Sequence, residues 1–141
     1  ASQVNAKNIH VMAGVASQKK ARTAFIENLN FACELAAKDD LTIVIEPLNN
    51  NDVPGYFLHN TTQAIEVIND INYTNLKLMF DCYHVQLTEG NLTDRLTTLL
   101  PYIGHIQFAS VPNRGAPDLG EVDYINLFKK IKAMISAIGI E

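Results

Sequence analysis

Long apolar runs, basic blocks and a cysteine framework are all missing from this sequence of 141 residues. No apolar stretch approaches the roughly 20 residues that a membrane-spanning helix needs. The N-terminus has no charged flank leading into an apolar leader segment, so membrane and secretory readings are set aside. Lysine and arginine number 11 against 15 acids, a net charge of −4 with no cluster that would neutralise phosphates. A nucleic-acid surface is therefore disfavoured. The two cysteines, Cys33 and Cys82, are too few for a disulfide framework and lack metal-ligand spacing, which predicts free thiols in a reducing, cytoplasmic compartment. Length excludes one thing more: a closed (β/α)8 barrel takes about 250 residues, so this chain is not a whole one.

What is present is an alternation of short β-branched runs with longer stretches of helical spacing, and this places the chain in the α/β class. Strands are predicted over 8–13, 41–45, 76–80 and 105–109. The first is followed by a helix over about 19–38, in which Phe25, Leu29, Ala32, Cys33 and Leu35 recur at three- and four-residue steps. Asn60 or Thr61 can cap a helix carrying Ala64, Ile65, Ile68 and Ile71, and Asn91 can cap a short helix through Leu96 and Leu99. A last helix runs from Asp123 to about Ile138, with Gly139 in a C-terminal stop position. No composition shift divides the series, so one contiguous domain with a parallel, helix-covered sheet is expected. Three glycosylation-type sequons, at Asn60, Asn72 and Asn91, read instead as caps and turns.

In parallel α/β folds the chemistry lies at the carboxyl ends of the strands. There, Ile43-Val44-Ile45 delivers Glu46, Leu78-Met79-Phe80 delivers Asp81, and His105-Ile106 delivers Gln107. Each acid taken alone reads more readily as a helix cap or as the partner of a neighbouring base. Three oxygen donors in register on one rim suit a hard divalent cation, Mg²⁺ or Mn²⁺. His84, three residues past Asp81, is placed to act as a general acid/base or hydrogen-bond donor. Asp52 follows in the Glu46 loop, and Arg114, in the loop after Gln107, offers a planar fork for a carboxylate. His10, His59 and His105 read as structural.

Several of these stretches, in order, resemble a known family: Ile45-Glu46-Pro47-Leu48-Asn49, Asp52-Val53-Pro54-Gly55-Tyr56-Phe57-Leu58, Phe80-Asp81-Cys82-Tyr83-His84-Val85-Gln86 and His105-Ile106-Gln107-Phe108-Ala109. Pro112-Asn113-Arg114-Gly115, Pro117 and Gly120-Glu121-Val122-Asp123-Tyr124 extend the likeness, as does His10-Val11-Met12-Ala13-Gly14. They are similar to the hydroxypyruvate isomerase family, of the xylose-isomerase-like TIM-barrel superfamily. The resemblance implies a partial (β/α)8 barrel over residues 1–141, about the strand 3 to strand 7 region. The N-terminal units would be absent and the closing strand missing or incomplete.

It further implies an aldose–ketose type isomerisation of a small hydroxy-keto acid, hydroxypyruvate to tartronate semialdehyde, through an enediolate and without an organic cofactor. By the same resemblance Glu46 binds the metal and shuttles the proton, while Asp81 and Gln107 are metal ligands. His84, Arg114 and, more loosely, Asp52 contact substrate. Glu141 depends on alignment. Read as the start of an eighth strand, Ile138-Gly139-Ile140-Glu141 supplies a second catalytic, metal-binding glutamate; read as a helix end stopped by Gly139, it supplies none. The second alignment is favoured because no turn residue precedes Gly139 in that helix. The alternatives are an isomerase or epimerase for a related sugar acid such as 2-oxo-tetronate, and a non-catalytic fragment whose open sheet edges invite pairing with another copy. A DNA-repair endonuclease on the same superfold fits poorly, because the rim lacks a histidine-rich zinc set and the charge is acidic.

Overall fold

The computed structural model describes residues 1–16 and 18–137. The segment Ile138-Gly139-Ile140-Glu141, and with it the Glu141 alignment, lies outside them. The elements alternate as the periodicity predicts: β1 (Asn8–His10), α1 (Gln18–Ala37), β2 (Thr42–Ile45), α2 (Thr61–Ile71), β3 (Leu76–Asp81), α3 (Cys82–Thr88), α4 (Leu92–Leu99), β4 (Ile103–Gln107) and α5 (Tyr124–Ala137). Short 3-10 turns occupy Ser2–Val4, Leu100–Tyr102 and Pro117–Leu119. The four strands form one parallel sheet in the order β1-β2-β3-β4. Sequential order with a helix in each connection is the βα series of a barrel wall.

Alternation along the strands divides the sheet into two faces. Ile43, Ile45, Leu76, Leu78 and Phe80 join the main core, packed with Leu29, Cys33, Ala64, Val67 and Leu96 from the helices. Val44 and Met79, of opposite parity, are buried yet stand outside that cluster, on the other face. The α1 stripe is buried through Phe25, Leu29, Cys33 and Ala36, whereas Leu35, read from the sequence as part of it, is 54% exposed. One residue of rotation separates Leu35 from the core-facing Ala36. Leu29 has no exposed surface. Its replacement by alanine is expected to cost about 3 kcal/mol in urea unfolding, a value set by lost burial and the cavity left behind.

Caps fix where the helices begin. The Asn60 side chain accepts from the Gln63 backbone N–H at 2.8 Å, and the Gln63 side chain accepts from His59 N–H at 3.1 Å. Asn72 closes α2 in the left-handed conformation, and Asn91, also left-handed, precedes α4 and donates its amide to Asp94 at 2.9 Å. The three asparagines are thus caps and turns, as read.

β4 begins two residues earlier than predicted, because the 3-10 turn at Leu100–Tyr102 delivers the chain straight into the ladder. The pairing shifts register between Leu78 and Met79, where Gly104 is the extra residue of the bulge. A Cβ on Gly104 would lie 2.6 Å from the Lys77 Cβ, so only glycine allows this approach. Beyond the bulge, Met79 pairs with His105 and Asp81 with Gln107.

Candidate active site

Strand parity assembles the site. Glu46 follows Val44 by two residues and Asp81 follows Met79 by two, so both carboxylates continue the face opposite the main core. Gln107 is the register partner of Asp81, and His10 that of Val44. All four therefore stand at the carboxyl ends of neighbouring strands. His84 joins them from the first turn of α3.

Glu46, Asp81 and His84 are 5%, 4% and 2% exposed, and one potential ligand atom from each lies within 4.8 Å of the others. Asp81 does two things at once. Its Oδ1 accepts from the Tyr83 backbone N–H at 2.9 Å and so caps α3. Its Oδ2 lies 3.7 Å from His84 Nε2 and 3.9 Å from Arg114 Nη2. Capping and site membership, which compete as readings of the sequence, are shared between two oxygens of one carboxylate.

Glu46 is less well compensated. Its Oε2 is 3.5 Å from His10 Nε2 and its Oε1 is 3.9 Å from His84 Nε2. Among the described residues Oε1 and His10 Nε2 are buried without a hydrogen-bond partner. Burial, with the Asp81 charge adding and Arg114 opposing, pushes the Glu46 carboxyl up to about 7. Burial also lowers His84, against the pull of Asp81, so its imidazole is held toward the neutral form. Two buried carboxylates facing one another, with an orphaned oxygen, make a donor set that fits a hard divalent cation.

Arg114 sits on the rim in a turn closed by its own N–H to Ser110 O at 2.9 Å. Its Nη2 is 3.1 Å from His84 Nε2 and its Nη1 is 3.7 Å from Asp52 Oδ2. The guanidinium also lies 5.1 Å from the Tyr83 ring centre, and the Tyr83 hydroxyl donates to Asp52 Oδ1 at 3.2 Å. Asp52 thus holds Arg114 and Tyr83. A cleft of about 390 Å³ lined by Asp81, Ile106, Gln107, Phe108, Ala109 and Arg114 opens beside them. Cys82, next to Asp81, is fully buried and pushed by burial to about 12, which removes it as a nucleophile.

Of the residues singled out in the sequence, Glu46, Asp81, His84 and Arg114 converge, Gln107 lines the adjoining cleft, and Asp52 stands behind the arginine. His10, read as structural within a strand predicted over 8–13, faces Glu46, because β1 ends at His10, three residues earlier than predicted. Asn49 was read only as part of a motif, yet it is 2% exposed and in contact with His84. His59 and His105 stay outside the group. His59 Nδ1 lies against Phe57 O at 3.2 Å.

The chain is 43% identical over 125 residues to 2-oxo-tetronate isomerase of Cupriavidus necator, covering 86% of this chain and 48% of that protein. It is 41% identical over 116 residues to hydroxypyruvate isomerase of Escherichia coli, covering 82% and 45%. Among solved structures, an AP endonuclease, family 2, from Brucella melitensis superposes with a TM-score of 0.86 at 33% identity, over 96% of this chain and 52% of that one. The chain spans about half the length of the curated relatives it matches. The family model of the xylose isomerase-like TIM barrel matches residues 1–140. Its parallel βα wall, with acids at the strand ends, is part of such a barrel, and the chain belongs to the xylose isomerase-like TIM barrel family.

Proposed function

We propose that the protein is a divalent-metal-dependent isomerase of small hydroxy-keto acids, interconverting hydroxypyruvate and tartronate semialdehyde through an enediolate. The observation that carries this reading is the buried cluster of Glu46, Asp81 and His84 with the Arg114 fork beside it. Glu46 and Asp81 would hold Mg²⁺ or Mn²⁺, with the Gln107 amide oxygen as a further ligand and Glu141 as another on the eighth-strand alignment. When bound, the cation polarises the carbonyl and hydroxyl oxygens of the substrate and stabilises enediolate charge.

Glu46 is the proton carrier. Its carboxylate takes a proton from the hydroxymethyl carbon and, as the carboxylic acid, returns it to the neighbouring carbonyl carbon. The hydroxyl proton moves from one oxygen to the other, so the atoms balance with no redox partner. Arg114 binds the substrate carboxylate, and His84 donates to a substrate oxygen. Residues 1–141 would form a single partial barrel domain of a cytoplasmic enzyme, and sizing in solution tests whether it self-associates.

The relative 43% identical to this chain favours a second substrate, the four-carbon sugar acid 2-oxo-tetronate, which presents the same carboxylate and keto group. Assay with Mg²⁺ and Mn²⁺ against both acids decides between them, and turnover of neither overturns the isomerase reading. Arg114→Met is expected to raise KM for the preferred acid by about 10- to 100-fold with a smaller change in kcat, the worth of a lost charge-assisted bond to a carboxylate. An unchanged KM would remove the arginine from carboxylate binding.

A further inference from the structure

His84 has two ring nitrogens, and the structure treats them differently. Nδ1 receives the Asn49 backbone N–H at 3.1 Å. It also lies 2.7 Å from the Asn49 side-chain nitrogen. The orientation of that amide is settled by its other end, since Oδ1 accepts from the backbone N–H groups of Asn51 at 3.1 Å and Asp52 at 2.9 Å. Its NH2 must therefore face the imidazole. Two donors converge on Nδ1, so Nδ1 carries a lone pair and the single proton of the neutral ring sits on Nε2.

We infer that Asn49 is a positioning residue that locks His84 in the Nε2–H tautomer, making it a hydrogen-bond donor to the substrate and excluding it as a metal ligand. Nε2 is the atom that faces Glu46, Asp81 and Arg114, at 3.9, 3.7 and 3.1 Å. Coordination through Nε2 would need a lone pair there and a proton on Nδ1, pointed at two N–H groups. That arrangement forfeits two buried hydrogen bonds and sets two donors against Nδ1–H, whereas the Nε2–H tautomer keeps both and opposes a single donor, Arg114 Nη2, to Nε2–H. The cation is then left to oxygen ligands, which suits a hard ion. The Nε2–H and the adjacent Arg114 Nη2 are both donors, and an anionic substrate oxygen placed against the pair satisfies both.

This inference rests on the isomerase reading for its functional meaning, but the tautomer is read in the resting protein. With ¹⁵N-histidine labelling of the full chain and His84→Gln to assign the signal among the four histidines, two-bond ¹H–¹⁵N correlation distinguishes protonated from unprotonated ring nitrogens. His84 is expected to show Nε2 protonated and Nδ1 bare, and to keep this pattern when Mg²⁺ is added. Asn49→Asp preserves the oxygen that accepts from Asn51 and Asp52 but sets a carboxylate oxygen against Nδ1. In that variant a proton is expected on Nδ1, with kcat lowered at least about tenfold and the fold retained by circular dichroism.

A protonated Nδ1 in the unaltered protein, loss of the Nε2 proton on adding Mg²⁺, or an unchanged tautomer in Asn49→Asp would each overturn the inference. Should the tautomer behave as expected while neither acid turns over, the isomerase reading fails and the lock stands.

Discussion

Glu46→Gln is expected to lower kcat for the preferred hydroxy-keto acid by about a thousandfold or more, with the purified variant still folded. Two losses coincide at this position. The amide cannot accept the substrate proton, a contribution of about 10²- to 10⁴-fold by itself. It also removes one of the negative charges that would hold the cation. Steady-state kinetics with saturating Mn²⁺ checks the result, and a variant within tenfold of the unaltered enzyme would remove Glu46 from the proton-transfer role.

The same substitution has an opposite effect on stability. The folded chain holds the Glu46 carboxyl near 7, above its ordinary 4.5. For a carboxyl raised in this way, the group's stabilising contribution is complete below about 4.5 and is lost as pH rises through about 7. In metal-free buffer, Glu46→Gln is therefore expected to raise Tm by several degrees at pH 8 and by about 1 °C or less at pH 4. Loss of catalysis with gain of stability is the pattern of a residue kept for chemistry. A variant that lost both would be structural.

Asp81→Asn is the second large effect. The change removes a formal charge from the cluster yet keeps an oxygen able to cap α3, because the cap uses Oδ1 alone. Mn²⁺ titration by calorimetry is expected to show affinity reduced by at least about 100-fold, more than is usual for a residue supporting a ligand from behind. Thermal stability without metal should be nearly unchanged. Asp81→Ala loses the cap as well and is expected to cost about 1 kcal/mol in addition. Affinity for Mn²⁺ within threefold in the asparagine variant would show that Asp81 is a cap and not a ligand.

Much of this architecture is legible in the residues themselves. Runs such as Ile43-Val44-Ile45 are apolar on both faces, the pattern of a parallel strand buried on both sides. The end of each run marks the rim, so Glu46, Asp81, Gln107 and the neighbouring His84 stand out with no structure in hand. Boundaries are less legible. The early start of β4 depends on a turn and a bulge whose fit is decided by Lys77 on another strand. Leu35 shares the three- and four-residue spacing of α1 yet lies off its buried stripe, because apolar spacing does not show which edge of a helix its neighbours cover.

The sequence by itself determined the class, the order of strands and helices, and the oxygen-rich character of the strand ends, because these follow from periodicity and from residue type within a few positions. The tertiary structure decided which side chains meet. It brought Asn49 onto Nδ1 of His84, His10 against Glu46, and Asp52 behind Arg114, contacts that join separate loops and strands. It also divided Asp81 between a cap and a cavity. Such pairings depend on sheet register and loop closure across tens of residues, and strand parity alone says only that two residues share a face, not which of their atoms touch.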